Sequence, residues 1–335
     1  MVAAEPVPDP VLLTAAHEAV AHWPLAVRDL KLVSRSENYA FRVEDERGRL
    51  FVLRLHRPGY HTFEELVSEQ TWTAALREAG VDVPVPVLAR TGEGYVTAFV
   101  GDEQRYAGML EWVPGDTLGA LMDGAEPKFI DDCYARIGEV MAALHTQASE
   151  WRLPDGFARH AFDAGGLMGV GGKRPFWGRF WESHLLTAED RAMLADLRNR
   201  IGPVLASLGR EPSHYGMIHA DLHPQNVVVS GKRLHVIDFD DAGFGWHAYD
   251  FAVCLGAHVR DDFARRQSAF LNGYRRVREP DQRMVALIPL FLLIRSLASI
   301  GWITARPDLA RPSMATELMA WVRSNAETML ARANL

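Results

Sequence analysis

Residues 30–99 alternate apolar and polar positions over short runs, whereas the later two thirds repeat their apolar residues every three or four. Ala40-Phe41-Arg42-Val43 and Leu50-Phe51-Val52-Leu53-Arg54-Leu55 flank a charged turn, Glu44 to Arg49, that contains Gly48; the pattern predicts a β-hairpin. Val85-Pro86-Val87-Leu88, Tyr95-Val96-Thr97-Ala98-Phe99 and Met109-Leu110-Glu111-Trp112 read as three further strands. Residues 62–79 place Leu66, Trp72, Ala75, Leu76 and Ala79 at helical spacing and stop at Gly80. After Val113-Pro114-Gly115 the pattern becomes helical over residues 129–147, 177–185, 188–208, 261–274, 283–305 and 314–331. The fold class expected is α+β with two lobes. Residues 1–113 form a small five-stranded antiparallel sheet with one helix, residues 114–335 a larger, mainly helical lobe, and Pro114-Gly115 is the hinge. Residues 148–173, rich in glycine, read as a flexible connector.

Composition narrows the function. A chain of 335 residues holds two lobes of ordinary size, and 48% hydrophobic with 24% charged residues is ordinary for a globular enzyme. A formal charge of −7 argues against a nucleic-acid binder, whose footprint would be basic, and weakly favours a cationic substrate. Cys133 and Cys254 sit in apolar helical patterns and read as buried thiols, which fits a cytoplasmic setting. The start, residues 1–10, is acidic and proline-rich, with no secretory pattern. The longest apolar run, residues 284–294, contains Pro289 and ends at Arg295; it is too short to span a bilayer and reads as a buried helix, so no membrane is expected.

The chemistry concentrates in His219-Ala220-Asp221-Leu222-His223-Pro224-Gln225-Asn226 and, twelve residues on, Val236-Ile237-Asp238-Phe239-Asp240. Met217-Ile218-His219 reads as a short buried strand. Val227-Val228-Val229 and Leu234-His235-Val236-Ile237 read as a hairpin around Ser230-Gly231-Lys232. A carboxylate, an amide five positions later and a second carboxylate at the far end of a hairpin make the set that phosphoryl transfer requires. One carboxylate orients or deprotonates the attacking hydroxyl, while the amide and the other carboxylate hold Mg²⁺ on the nucleotide phosphates. His219 and His223 at a spacing of four could suggest zinc, but Pro224 and the flanking strand residues argue against the helix on which such pairs ride.

His-x-Asp-x-x-x-x-Asn followed by Ile-Asp-Phe resembles the aminoglycoside phosphotransferase and choline kinase family, which shares the protein-kinase-like fold, and Leu222 to Asn226 is close to the form of bacterial members. The resemblance runs from about Leu32 to the last helices. It implies that Asp221 is the catalytic base, Asn226 a metal ligand and Asp238 the main metal ligand, and that Asp250 supports the backbone of the catalytic loop. His219 reads as a structural brace of that loop.

From the first lobe a cation should reach the phosphates, held by a helix carboxylate. Arg54 and Glu69 occupy those places, Arg54 standing where most kinase-like proteins have Lys. Arg outnumbers Lys 32 to 4 along the chain, and guanidinium binds phosphate well. Ser34, Ser36 and Asn38 lie in the glycine-free loop 34–38, which resembles the family's short phosphate-covering loop. The adenine is placed at Glu111 and Val113, from their order in the chain. The function expected is ATP- and Mg²⁺-dependent transfer of the γ-phosphate to a hydroxyl of a small molecule such as an amino sugar, an aminoglycoside or an amino alcohol. The competing readings are a protein Ser/Thr kinase and a nucleotide-binding pseudokinase.

Overall fold

A computed structural model describes residues 7–36, 38–256, 262–307, 309 and 311–333. Glu37 of the loop 34–38, Asp261 of the helix expected over 261–274, and most of the stretch 1–10 lie outside them. The chain divides into two compact units, one running to Pro114 and taking in Pro154–Ala158, the other Gly115–Leu153 with residue 159 onward.

In the first unit, β1 (Val27–Arg35), β2 (Tyr39–Asp45), β3 (Leu50–Leu55), β4 (Tyr95–Val100) and β5 (Glu103–Glu111) form one antiparallel sheet in the order β1-β2-β3-β5-β4. Five strands are present, but their membership differs from the expectation. Val27–Arg35 is a strand, while Val85-Pro86-Val87-Leu88 makes only an isolated bridge, Pro86 to Leu110. Pro86 has no N–H to give a ladder, and β1 was obscured by charges at Arg28, Asp29 and Lys31 on an edge strand. An additional helix, α1 (Asp9–Val20), buries Leu12, Ala16 and Ala19 in the same core as Trp23, Phe41, Val43, Leu53, Leu55 and Met109. Helix α2 (Phe63–Glu78) starts in a capping box: Glu65 N–H donates to the Thr62 hydroxyl, and Thr62 N–H donates to Glu65 Oε2. It ends before Gly80, whose φ of 86° a side chain would resist.

The second unit contains two three-stranded sheets. In one, β10 (Arg233–Val236) and β9 (Val227–Ser230) form the hairpin turned by Gly231, and β9 also pairs with β6 (Asp116–Thr117). In the other, β11 (Gly243–Trp246) lies between β7 (Ala161–Phe162) and β8 (Tyr215–Ile218). The helices are α3 (Leu118–Met122), α4 (Pro127–Glu150), α5 (Ala164–Met168), α6 (Ala188–Ser207), α7 (His247–Leu255), α8 (Phe263–Arg275), α9 (Gln282–Ala286), α10 (Ile288–Ala305) and α11 (Pro312–Arg332). Helices α4 and α8 pack closely because each presents a glycine. A Cβ on Gly138 would collide with the Phe270 carbonyl, and one on Gly273 with the Ala135 carbonyl.

Two helical expectations and that of a connector change. Residues 177–185 form only a 3₁₀ turn at Phe180–Glu182. Residues 283–305 split at Leu287, because Pro289 is compatible with a first helical turn but not with an interior one. The glycine-rich stretch is ordered structure rather than a loose connector: a Cβ on Gly166 would strike the Ala161 carbonyl, so the residue permits a tight pass of α5 over β7. Helix α10, with 18 residues and a mean hydropathy of 1.7, is longer than the apolar run suggested and is apolar enough by length and composition to cross a membrane. Two thirds of it is buried within the protein, against α7 and α11 among others, which accounts for its apolarity.

Candidate active site

Among the described residues, only two non-glycine residues have positive φ: Ala220 at 61° and Asp238 at 65°. Each costs backbone energy, and such strain persists where surrounding contacts over-determine it. Ala220 turns the chain out of β8 into the segment that bears Asp221, and Asp238 turns it out of β10.

The first turn is held from beneath by Asp250 on α7. Its Oδ1 accepts from Ala220 N–H at 2.7 Å and its Oδ2 from His219 N–H at 3.1 Å. Burial pushes the Asp250 carboxyl up to about 6 despite those donors. His145 Nε2 on α4 lies 2.9 Å from Asp250 Oδ2, and His145 Nδ1 lies 2.9 Å from the Tyr274 hydroxyl on α8. An ionised Asp250 only accepts, so His145 donates through Nε2 and accepts the Tyr274 proton at Nδ1. Full burial holds the His145 imidazole well below its ordinary pKa, so it is neutral. His219 braces the loop from within. Its Nδ1 accepts from Asp221 N–H at 3.3 Å, its Nε2 donates to the Ile237 carbonyl at 3.1 Å, and burial lowers its pKa as well.

Asp221 is partly buried with three partners around its carboxylate. Arg295 Nη2 donates to Oδ1 at 2.7 Å, Asn226 Nδ2 to Oδ2 at 3.0 Å, and His223 Nε2 lies 3.4 Å from Oδ2. Burial alone would raise this carboxyl, but the hydrogen bond from His223 and the charge of Arg295 outweigh it and hold the group below the ordinary carboxylate range. Asp221 is therefore ionised and accepts hydrogen bonds.

Asn226 spends its amide nitrogen on Asp221, on both the carbonyl at 2.9 Å and the carboxylate, which leaves the amide oxygen for a cation. Ile237 N–H donates to the Asn226 carbonyl at 3.0 Å, bringing the residue before Asp238 against Asn226. An amide oxygen and a carboxylate are the kind of hard-oxygen donors that suit Mg²⁺. Arg159 clamps the chain beyond Asp238 from a buried position: its guanidinium donates to the Asp240 carbonyl at 2.6 Å and the Ala242 carbonyl at 2.5 Å.

In the first unit, Arg54 Nη1 on β3 and Glu69 Oε1 on α2 face each other at 3.6 Å, their side chains 11% and 8% exposed. Ser34, the residue of β1 opposite Ala40, and Ser36 are exposed, whereas Asn38 is buried and its side-chain oxygen accepts from Arg57 N–H at 3.0 Å. Glu111 closes β5 and gives its N–H to the Val85 carbonyl; Val113 follows, half-buried.

Sequence reasoning missed Arg295, His145, Tyr274 and Arg159. For Arg295 a signal existed: it is the single charge in α10, and a charge in an apolar helix requires a partner.

The family described as phosphotransferase enzyme family matches residues 29–284. A microcompartment-associated aminopropanol kinase superposes with a TM-score of 0.80 at 32% identity, over 96% of this chain and 98% of that one. An amicoumacin kinase bound to AMP-PNP, Ca²⁺ and Ami superposes with a TM-score of 0.76 at 19% identity, over 94% and 93%, which shows a shared fold. The homoserine kinase of Afipia carboxidovorans (strain ATCC 49405 / DSM 1227 / KCTC 32145 / OM5) is 28% identical over 74% of this chain and 72% of its own. The chain belongs to the phosphotransferase enzyme family, as an enzyme of protein-kinase-like fold that moves a phosphoryl group onto a hydroxyl of a small molecule.

Proposed function

We propose that the protein transfers the γ-phosphate of ATP, with Mg²⁺, to the hydroxyl of a small amino alcohol. The observation that carries this reading is the Asp221 carboxylate held by Arg295 and Asn226 just after the strained turn at Ala220, with Asn226 joined through its backbone to Ile237, the neighbour of Asp238. Asp221 receives the acceptor hydroxyl as hydrogen-bond acceptor and base. Asn226 Oδ1 and the Asp238 carboxylate would hold the metal, which when bound would neutralise charge on the nucleotide phosphates. His219 and Asp250 keep the loop in register.

The domain assignment is the same reading applied to the chain: residues 1–113 as the nucleotide-binding lobe, residues 114–335 as the catalytic and acceptor lobe. In the first, Arg54, oriented by Glu69, places its guanidinium on the phosphates, the exposed Ser34 and Ser36 cover them, and Asn38 holds their loop. The backbone at Glu111 and Val113 lies along the adenine edge. An amino alcohol is favoured among acceptors because the relative at 32% identity over nearly the whole chain is named an aminopropanol kinase. A cytoplasmic setting follows from ATP as donor and from two free, buried thiols.

ADP release measured with short amino alcohols, amino sugars, homoserine and a generic protein acceptor tests the proposal. Turnover with an amino alcohol is expected, and Asp221→Ala should reduce it by about 10²–10⁴-fold while ATP still binds. Turnover confined to the protein acceptor, or an Asp221→Ala variant at wild-type rate, would overturn it.

A further inference from the structure

Arg295 stands in α10, 74 positions along the chain from Asp221, yet it touches the carboxylate more closely than any other partner. Its Nη1 lies 3.1 Å from the Tyr249 hydroxyl and 3.5 Å from the carbonyl of Ala220, the strained residue that turns the loop. The guanidinium carbon sits 4.2 Å from the centre of the Trp177 ring and 5.8 Å from that of Tyr249. The Trp177 ring lies within cation–π range and the Tyr249 hydroxyl takes a hydrogen bond from Nη1, so the two aromatic residues hold the cation between them. Burial pushes the Tyr249 phenol up to about 12, which keeps it an uncharged hydroxyl able to accept from Arg295.

A carboxylate offers about four lone-pair directions. Arg295 occupies one on Oδ1, and Asn226 and His223 occupy two on Oδ2, which leaves one direction for an acceptor hydroxyl. Without Arg295 the carboxylate can rotate about its Cβ–Cγ bond and present any of its free edges. We propose that Arg295, seated on Trp177 and Tyr249, is a positioning residue of phosphoryl transfer: it locks the Asp221 carboxylate in the orientation that receives the acceptor hydroxyl. The role rests on the function proposed above and adds to it a residue that acts through Asp221. Lysine at this position keeps the charge but loses the planar fork that reaches Asp221, Tyr249 and the Ala220 carbonyl together.

The test is steady-state kinetics on the full chain with Arg295→Lys and Arg295→Ala, alongside thermal melting. Misplacement of a reacting group by about 1 Å costs on the order of 10²-fold, so kcat should fall by roughly that factor in Arg295→Ala, with the KM for ATP within about twofold of wild type. Methylguanidinium in the assay should restore part of the Arg295→Ala rate, which a purely structural defect would not allow. Arg295→Lys, folded with an unchanged melting temperature, should keep intermediate turnover. An Arg295→Ala variant at wild-type kcat would overturn the inference. So would a loss in both variants that tracks their melting temperatures and is not reversed by methylguanidinium. Failure of the wild type to use any acceptor in the panel breaks the functional reading; an active wild type with an indifferent Arg295 breaks only this one.

Discussion

The ion pair of the first unit and the carboxylate of the second illustrate two ways of placing a charge. Arg54 and Glu69 stand on regular elements, β3 and α2, at 3.6 Å, longer than the usual span of a charge-assisted hydrogen bond, about 2.7–2.9 Å. Asp221 stands on an irregular turn at 2.7 Å from Arg295 and 3.0 Å from Asn226, over a backbone held by Asp250. The difference follows from the work proposed for each. A cation on a phosphate acts through a field that falls slowly with distance, and a strand and a helix position it well enough. A carboxylate that must meet one hydroxyl is sensitive to fractions of an ångström, and only several converging bonds supply that accuracy.

The largest effect that would sharpen the contrast is at Asp238. Even partners outside a metal's ligand shell are worth about 10–100-fold in metal affinity, and Asp238 is proposed as a ligand itself. Asp238→Ala should weaken ATP binding in the presence of Mg²⁺ by roughly 100-fold or more, and leave the weaker binding without Mg²⁺ unchanged. Titration calorimetry with and without the metal reads both. Equal affinity of variant and wild type with Mg²⁺ present would remove Asp238 from the metal site.

A graded effect, read in rate rather than in affinity, is expected in the first unit. Loss of one preorganised donor to developing charge costs about 10²–10³-fold in rate, so Arg54→Ala should lose that much turnover. Arg54→Lys keeps a phosphate-binding charge and should stay within about tenfold of wild type. Glu69→Ala should fall between, because it removes only the group that orients the cation. An Arg54→Ala variant as active as wild type would make Arg54 a plain strand residue and end the comparison.

The sequence singled out the candidate chemical groups of the second unit but not the residues that support them. Asp221, Asn226 and Asp238 lie within eighteen residues and around one hairpin, so spacing alone places them together. Arg295 and Arg159 reach these loops directly from α10 and the approach to β7, while His145 on α4 acts through Asp250 and Tyr274 on α8 through His145, and nothing local in their segments tells which partner they meet. The periodicity that revealed α4 and α10 as helices gave their buried faces but not the neighbours on those faces. In the first unit the reverse error occurred. Alternation was trusted at Val85-Pro86-Val87-Leu88, where Pro86 spoils the ladder. It was not read at Val27–Arg35, where the charges on a half-exposed edge strand masked a real one.

The smallest effect concerns pH and the support beneath the first turn, at Ala220. His145 on α4 and His247 on α7 stack at 3.9 Å, and burial lowers both imidazoles well below the usual value of 6.5. The groups facing them are Asp250 and Tyr274, with Arg278 and His214 nearby, and the charge of Arg278 adds to the lowering of both. A histidine depressed in the folded state contributes stability that is complete above about pH 6.5 and is lost as pH falls, because only the unfolded chain takes up the proton. Asp250, raised to about 6, works the other way: between about pH 6 and 3.8 the folded state binds its proton and gains stability as pH falls. Two histidines against one carboxyl leave a net loss on acidification of at most about 1.4 kcal/mol per pH unit below pH 6. Urea midpoints should therefore decline from pH 7 to pH 5, and His145→Gln, which keeps hydrogen bonding without titrating, should flatten the decline even though the variant is less stable at pH 7. A midpoint that is constant across this range, or an unchanged slope in His145→Gln, would show that the histidine stack does not set the acid response and that the support of the loop is indifferent to protonation.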